Sequence, residues 1–401
     1  MREVDILIAG GGLAGSTAAA MLARQGFEIA IVDPHANYPF DLRCEKLIGR
    51  QVAILQRTGL ADLVLPAATL DGECWIAQFG RVVLKRPGDQ WGILYDTLVN
   101  TMRSTIAAGA TFIEDKVMHI ANGPLRQVVS LAKGEAISTR LVVLANGLNT
   151  GLRHSLGMER HDVSKCHCIT IAFDVKPARR SSFEFSAMTC FGGRPADRIA
   201  YMSLFPIGSA MRVNLMAYRS MDDPWLQDLK RRPEVAMFAA LPGLARLVGP
   251  VEVSGSVRLR PADLYVTRGH LTPGVVLVGD AFASTCPAAG TGADKVFTDV
   301  ERLCNVHIPR WMASPGMAVE KIANFYADPV KLACDQFSMR KAFSARAVST
   351  GKDMPSTTRR WARFSAWTAL GIARRAAQRM RARNSLATSL ALGGERSPRR
   401  S

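Results

Sequence analysis

The sequence has no long hydrophobic run and few aromatic residues. Aromatic side chains make up 7% of the 401 residues, and no stretch reaches the roughly 18 consecutive apolar residues that a membrane-spanning helix needs. The apolar residues up to Ala23 do not make a signal peptide, because Glu3 and Asp5 interrupt the basic region and a run of glycines breaks the apolar stretch. We therefore expect neither a membrane span nor a secretory signal.

The eight cysteines include no C-x-x-C pair, and their nearest grouping is Cys166-His167-Cys168. On a regular strand His167 would face away from both thiols, which is poor geometry for binding a metal. We expect no metal site. Reduced thiols of this kind are typical of a cytoplasmic protein.

Acidic residues are scarce at the C-terminal end of the chain. The net charge is +17, and residues 340–401 hold fifteen basic residues against two acidic ones. The other 339 residues therefore carry only +4. With 48% hydrophobic residues the chain as a whole has a globular composition. The sequence carries no nucleic-acid-binding motif, so the basic tail does not indicate nucleic-acid binding.

The first thirty-three residues contain a glycine-rich turn between a strand and a helix. An apolar run over 4–9 leads into Gly10-Gly11-Gly12-Leu13-Ala14-Gly15, and a second apolar run ends in Asp33, eighteen residues after the last glycine of the turn. Gly10 permits a tight turn, Gly12 lets backbone N–H groups approach a pyrophosphate, and Gly15 lets the helix pack closely on the strand. Asp33 can hold ribose hydroxyls. The pattern predicts a dinucleotide site but does not distinguish FAD from NAD.

A second glycine-rich pattern follows the apolar run at 275–278. It consists of Gly279-Asp280-Ala281, then Pro287, then Gly290-Thr291-Gly292 at the start of an expected helix. A carboxylate at the end of a strand can contact a polyol chain. Glycines at a helix start can present N–H groups to an electron-rich carbonyl.

The two patterns together resemble the FAD-dependent monooxygenases of the para-hydroxybenzoate hydroxylase type, over about residues 3–305. The resemblance implies that Asp280 contacts the ribityl and ribose hydroxyls and that Gly290 and Gly292 lie beside the flavin pyrimidine. It further implies FAD as cofactor, NAD(P)H as co-substrate, and O₂ activated as a C4a-hydroperoxyflavin that hydroxylates an aromatic or lipophilic substrate. This chemistry requires no side-chain acid or base, so we assign no catalytic residue.

Two stretches depart from the family pattern. Asn146-Gly147 stands where the family has Asp-Gly, which keeps hydrogen-bonding capacity and loses a charge. Tyr95 stands where the family has an arginine near the pyrophosphate. We expect Arg43 or Lys46 to supply the missing positive charge.

The resemblance implies an α/β fold with a Rossmann-like FAD-binding domain, an inserted antiparallel β-sheet substrate domain and a C-terminal helical tail. The expected boundaries are 1–164 and 271–345 for the FAD-binding domain, 165–270 for the substrate domain and 346–401 for the basic tail, helical at first and disordered from about Ala382. Within the tail, Trp361, Phe364 and Trp367 recur at helical spacing among arginines. This pattern fits either a helix docked on the body or a helix lying on an anionic membrane surface. We expect a cytoplasmic protein, with contact at the inner face of a membrane left open.

Two other functions remain open from the sequence. Cys44 lies in a stretch partly similar to the P-x-C-G-E motif of geranylgeranyl reductases, which would make the protein a flavin-dependent reductase of a lipid double bond. Alternatively, Asn146 and Tyr95 would fit a non-catalytic flavoprotein whose tail binds a partner.

Overall fold

The computed structural model describes residues 1–43, 45–106 and 109–393, with side chains described as far as residue 380. Cys44 and residues 394–401 of the basic tail lie outside the described residues. Expectations placed on them therefore stay predictions.

The described strands are, in chain order, β1 (Arg2–Ala9), β2 (Ile29–Asp33), β3 (Lys46–Ile48), β4 (Thr69–Leu70), β5 (Glu73–Gln78), β6 (Arg81–Pro87), β7 (Gln90–Gly92), β8 (Ala110–Glu114), β9 (Val117–Ala121), β10 (Gln127–Leu131), β11 (Ala136–Leu144), β12 (Glu159–Pro177), β13 (Ala187–Phe191), β14 (Ile199–Ile207), β15 (Ala210–Ala217), β16 (Val251–Arg268) and β17 (Val275–Leu277).

The described helices are α1 (Leu13–Arg24), α2 (Gly49–Arg57), α3 (Ala61–Val64), α4 (Tyr95–Ser104), α5 (Gly151–Ser155), α6 (Pro224–Arg231), α7 (Pro233–Ala240), α8 (Leu244–Val248), α9 (Gly292–Arg302), α10 (Ile308–Met312), α11 (Val319–Tyr326), α12 (Pro329–Thr350) and α13 (Met354–Gly393).

The first sheet has the order β8-β2-β1-β11-β10-β9, and β17 pairs with β11 at the end where β10 has left it. Strands β8, β2, β1, β11 and β17 run parallel. Their residues are almost continuously apolar because helices cover the sheet, and α1, α4 and α9 bury one large core against it. The carboxyl ends of β1, β2, β11 and β17 meet at one edge, which is where parallel α/β sheets bind ligands.

The second sheet has the order β16-β12-β15-β14-β13-β5-β6 and is antiparallel except for the β13–β5 pair. Its strands alternate between two environments. On β12, Ile169, Ile171 and Phe173 join a core closed by α6, α7 and α8, whereas Cys168 belongs to a cluster shared with the segment after β17. The sheet therefore turns one face to its own helices and the other to the first domain. Strands β3, β7 and β4 form a small third sheet between the two.

The C-terminal helices pack on both domains. Helix α12 lies against α9, and α13 lies on β6. On α13, Phe364 contacts Phe79 with ring centroids 5.3 Å apart, and Trp367 contacts Phe191 at 4.8 Å. The first turns of α13 thus dock on the second sheet, and the helix continues to residue 393, past the expected start of disorder.

The α/β class, the inserted sheet and the helical C-terminal region predicted from the sequence are confirmed. Among the described residues no helix is both long and apolar enough to pass through a membrane.

Candidate functional site

The turn between β1 and α1 has the close packing that its glycines predict. Gly10 has a φ of +105°, and a Cβ there would lie 2.7 Å from the carbonyl oxygen of Ala145. A Cβ at Gly15 would overlap the carbonyl oxygen of Gly10. Gly12, at the N-cap of α1, is different, because a Cβ there would meet only the Tyr38 ring, 3.8 Å away. Gly10 and Gly15 are needed for backbone packing, and Gly12 leaves open space in front of the helix.

That open space is a pocket of about 130 Å³ at the carboxyl ends of β1, β2, β11 and β17. Nine of the fourteen predicted cofactor residues line it: Gly10, Gly12, Leu13, Ala14, Asp33, Arg43, Asn146, Gly147 and Asp280. The structure therefore brings five separate parts of the sequence to one place: the glycine turn, the end of β2, the loop after β2, the end of β11 and the end of β17.

Asp33 is nearly buried at the end of β2 and already has several partners. One carboxylate oxygen accepts a 2.7 Å hydrogen bond from the Gly11 N–H. The other lies 3.2 Å from Arg103 Nη2, and Arg103 also donates to the Gly11 carbonyl oxygen at 2.7 Å. The chain thus uses Asp33 to hold the glycine turn as well as to line the pocket. Arg103 was not expected from the sequence, because it is an isolated basic residue at the end of α4 with no motif around it.

Arg43 supplies positive charge to the pocket, one of the two expected options. Its Nη1 lies 2.6 Å from Asp280 Oδ2, and its Nε lies 2.5 Å from Asp41. Burial alone would lower the pKa of Arg43, but the carboxylates of Asp280 and Asp41 raise it, so the guanidinium stays charged. Lys46 lies elsewhere, with its ammonium 4.7 Å from the centre of the Phe205 ring.

Tyr95 occupies the position of the family arginine and is buried beside the pocket. Its ring contacts Tyr38 with centroids 5.6 Å apart, and the Arg43 guanidinium lies 5.7 Å from its centre. Burial is the main reason why the pKa of Tyr95 is raised, so the phenol is neutral. Tyr95 therefore lines the pocket without bringing charge.

Asn146 leaves one polar atom without a partner among the described residues. Its amide nitrogen donates to the Asn149 carbonyl oxygen at 3.1 Å, while its Oδ1 is buried and accepts no hydrogen bond. Buried polar atoms are nearly always paired, so an unpaired acceptor lining a pocket points to a donor on a bound molecule.

The remaining five predicted residues do not line this pocket. Gly15 and Gly279 lie behind it, and the Gly279 N–H donates to Asp299 at 3.1 Å. Gly290, Thr291 and Gly292 form the turn into α9. Arg50 and Gln51 of α2 bond the Gly290 carbonyl oxygen at 3.0 and 3.1 Å, and this attaches the turn to the first domain.

A buried ionic cluster links the loop after β2 to the second sheet. Arg212 of β15 bonds both Glu45 and Asp174, the latter at 2.6 Å. Burial is the main cause that raises the pKa of Glu45, and Arg212 opposes it. Arg260 of β16 likewise pairs with Asp41. These pairs hold the sheet over the side of the pocket where Arg43 lies. Among the described residues, no group of three or more His, Cys, Asp or Glu side chains could hold a metal ion.

A comparison with protein families now decides the class. The model of the family described as FAD binding domain matches residues 3–306. The chain belongs to this family. The match covers almost the same residues as the resemblance seen in the sequence, and the protein is an FAD-dependent oxidoreductase of the flavin monooxygenase class.

Individual relatives are distant. The chain is 24% identical over 332 residues to the 3-demethoxyubiquinol 3-hydroxylase of Escherichia coli (strain K12), covering 76% of this chain and 80% of the relative. It is 27% identical over 306 residues to the menaquinone reductase of Mycolicibacterium smegmatis (strain ATCC 700084 / mc(2)155), covering 73% of each.

Among solved structures, the p-nitrophenol 4-monooxygenase PnpA from Pseudomonas putida DLL-E4 matches with a TM-score of 0.73 and 15% identity. The match covers 92% of this chain and 95% of that one. At this identity the likeness establishes the fold.

The pocket of this FAD binding domain protein fits the cofactor. The open space at Gly12 can take a phosphate of the cofactor. The charged guanidinium of Arg43 can pair with its negative charge. The buried Oδ1 of Asn146 can accept a hydrogen bond from a donor on the cofactor.

Proposed function

We propose that the protein is an NAD(P)H-driven, FAD-dependent monooxygenase that inserts one oxygen atom of O₂ into an aromatic or lipophilic substrate. The observation that carries the proposal is the pocket that the glycine turn, Arg43, Asn146 and Asp280 line together, beside the Arg260–Asp41 pair that ties the second sheet to the first domain. Bound FAD would supply hydride acceptance and oxygen activation. The resemblance in sequence to hydroxylases supports the reaction type.

The chain's own residues would hold the cofactor in distinct ways. The N–H groups at the start of α1 would bind the pyrophosphate at the open face of Gly12, and Arg43 would add positive charge there. Asp280 would accept hydrogen bonds from the ribityl hydroxyls, and Asn146 Oδ1 would accept one from the bound cofactor. The N-terminus of α9, at Gly290-Thr291-Gly292, would stabilise negative charge on the ring.

The second sheet would close the reacting side of the cofactor. Its inner face is tied to the first domain by the Arg212–Glu45 and Arg260–Asp41 pairs. Excluding water strengthens electrostatic interactions inside a site and protects a reactive oxygen species from loss. The substrate would therefore bind between this sheet and the first domain, in the usual place for an interdomain ligand.

Rapid mixing tests the proposal. The FAD-loaded protein is reduced anaerobically and mixed with oxygenated buffer while the flavin spectrum is followed. We expect a transient spectrum distinct from both reduced and oxidised FAD, and incorporation of ¹⁸O from labelled O₂ once a substrate is found. Direct reoxidation with every phenol and quinol tested, and without labelled product, would contradict the proposal.

A second candidate is a flavin-dependent reductase of a lipid double bond, which the likeness to menaquinone reductases favours. The two functions differ in their need for oxygen. A reductase consumes NAD(P)H and converts an isoprenoid quinone under strictly anaerobic conditions, whereas a monooxygenase requires O₂. Anaerobic turnover with menaquinone would favour the reductase, and oxygen-dependent turnover would favour the hydroxylase.

We further propose a cytoplasmic protein that contacts an anionic membrane surface through α13. Arg374, Arg375 and Arg379 are exposed beyond the docked part of this helix, beside the exposed Ile372 and Met380. Replacing the three arginines with glutamine is expected to reduce co-sedimentation with vesicles containing phosphatidylserine. Unchanged co-sedimentation would leave α13 as a docked helix only. Deleting the whole helix is a poor test, because it would also uncover Phe79 and Phe191.

A further inference from the structure

Four charged side chains form a closed ring between α9 and α12. Lys295 and Asp299 lie one turn apart on α9, and the other two members, Lys331 and Asp335, lie one turn apart on α12. The Lys331 ammonium is 2.9 Å from Asp299 and 3.0 Å from Asp335. The Lys295 ammonium is 3.4 Å from Asp299 and also bonds Asp335. This charge ring therefore pairs each ammonium group with both carboxylates.

Three members of the charge ring are shielded from water. The side chains of Lys331 and Asp299 are 1% exposed, and that of Lys295 is 3% exposed. The Phe282 ring covers both ammonium groups, with its centre 4.4 Å from Lys331 and 5.1 Å from Lys295. Burial alone would raise the pKa of Asp299, but Lys295 and Lys331 lower it, so the carboxylate stays charged.

Stability alone does not explain such a ring. Charges lose their hydration when they are buried, so apolar side chains of similar size often stabilise a fold as well as a buried ion pair does. The charge ring supplies something that apolar side chains cannot, which is a charged hydrogen-bond acceptor at a fixed place. That acceptor is Asp299 Oδ2, which receives the N–H of Gly279 at 3.1 Å.

Gly279 directly precedes Asp280, which lines the cofactor pocket. The φ of Gly279 is +59°. Glycine enters and leaves this region at little cost, so an outside partner is needed to hold its conformation. On the other side, the Tyr265 hydroxyl donates to the Asp280 carbonyl oxygen at 2.5 Å. Asp299 and Tyr265 thus hold the backbone before and after the Asp280 carboxylate.

We propose that Asp299 is a positioning residue of the cofactor site. It fixes Gly279 and thereby the direction of the Asp280 carboxylate. The ammonium groups of Lys331 and Lys295 in turn fix Asp299. Helix α12 contributes in this way to the affinity for FAD, although none of its described residues lines the pocket. The inference rests on the proposed contact between Asp280 and the ribityl hydroxyls.

The affinity of the apoprotein for FAD tests the proposal without any measurement of activity. Apoprotein is titrated with FAD while flavin fluorescence is followed. Asp299→Asn should raise the dissociation constant about tenfold, because the amide offers one acceptor oxygen where the carboxylate uses two. A dissociation constant equal to that of the unsubstituted protein would overturn the proposal.

Asp328→Asn is the matched control. It also removes a buried charge where α12 meets α9, but Asp328 pairs with Arg302 and His307 rather than with Gly279. Urea denaturation should show that both variants are less stable than the unsubstituted protein, and only Asp299→Asn should lose affinity for FAD. Equal losses of affinity would mean that the effect is a general loss of packing, and the proposal would fail.

A double-mutant cycle separates positioning from a direct effect on FAD. Asp280→Ala should weaken FAD binding, and adding Asp299→Asn should then change the affinity by less than about twofold, because the carboxylate that Asp299 positions is gone. A further tenfold loss would overturn the proposal, since Asp299 would then act by another route.

The same cycle distinguishes this inference from the proposed function. An unchanged affinity in Asp280→Ala would contradict the proposed contact of Asp280 with FAD and would overturn this inference with it. Weakened binding in Asp280→Ala but not in Asp299→Asn would overturn the positioning role alone.

Lys331→Met provides the test if Asp299→Asn does not fold. It keeps the acceptor for Gly279 and removes one of the two ammonium groups that orient it. The dissociation constant for FAD should rise about threefold. An unchanged value in the folded Lys331→Met protein would overturn the proposal.

Discussion

At the scale of single residues, the glycines of the turn have two different roles: Gly10 and Gly15 allow close backbone packing, and Gly12 leaves room for a ligand. Gly10 and Gly15 have no space for a side chain, whereas Gly12 has a φ of −73° and an open front. This difference means that substitutions within one motif should have different consequences.

Gly12→Val should fold normally and lose FAD. Its φ suits any residue, and the new side chain would project into the space that a pyrophosphate needs. Flavin absorbance per protein after purification, with circular dichroism for folding, measures the two effects. Gly109→Val, at an exposed position where a Cβ meets nothing within 3.9 Å, is the control and should stay yellow. A yellow Gly12→Val protein would refute the assignment of the pocket.

Arg43→Met should weaken FAD binding about ten- to a hundredfold, because a hydrogen bond to a charged group contributes about 1.5–3 kcal/mol. Titration of apoprotein with FAD, followed by flavin fluorescence, gives the affinity. Arg57→Met, on the exposed end of α2, removes the same charge away from the pocket. Equal affinities for the two variants would show that Arg43 serves only to pair with Asp280 and Asp41.

At the scale of elements, α12 is anchored at its start by one carboxylate. Asp328 accepts hydrogen bonds from the N–H groups of Val330 and Lys331 at 2.9 and 3.1 Å. It also pairs with Arg302 and His307, each at 2.9 Å. This residue joins α12 to α9 and to the segment after it.

Asp328→Asn should destabilise the protein by about 1–3 kcal/mol at pH 7, since it removes charge-assisted hydrogen bonds and keeps a capping oxygen. Burial alone would raise the pKa of Asp328, but its partners lower it to about 2. A lowered pKa stabilises the fold above the unfolded value of about 3.9, and this contribution is lost as the pH falls towards 2.

Urea denaturation at pH 7 and pH 3 measures this difference. The gap between the unsubstituted protein and Asp328→Asn should be smaller at pH 3. Asp62→Asn, an exposed position on α3, should show no gap at either pH. An equal gap at both pH values would mean that the charge of Asp328 contributes nothing.

At the scale of the whole molecule, the cofactor pocket draws on β1, β2, β11, β17 and the loop after β2 at once. A ligand held by so many elements binds the folded chain and not the unfolded one. The second sheet is also built from distant parts of the chain, since it includes Glu73–Gln78 and Arg81–Pro87 as well as the strands after residue 158. The four-segment division of the chain stays a prediction.

FAD at one hundred times its dissociation constant should therefore stabilise the protein by about 2.7 kcal/mol. The thermal midpoint of apoprotein should rise with FAD concentration, as differential scanning fluorimetry can measure. Gly12→Val protein should keep the apoprotein midpoint at every concentration. A midpoint of the unsubstituted protein that does not depend on FAD would contradict the pocket.

The sequence by itself determined the class of the protein and much of its first domain. The residues that identified it act through backbone conformation and local spacing, which can be read from the sequence alone. They are Gly10 to Gly15, Asp33 and Gly279-Asp280. The family and the FAD cofactor that these residues implied are confirmed. The roles of the single residues, the C4a-hydroperoxyflavin, the use of NAD(P)H and the membrane contact stay predictions.

Only the tertiary structure decided which side chains meet across the fold. Arg103 holds the glycine turn from the end of α4, Tyr95 lines the pocket, and Arg43 rather than Lys46 reaches it. Such contacts join residues far apart in the chain, so they depend on how the two sheets pack, and no local spacing encodes that packing.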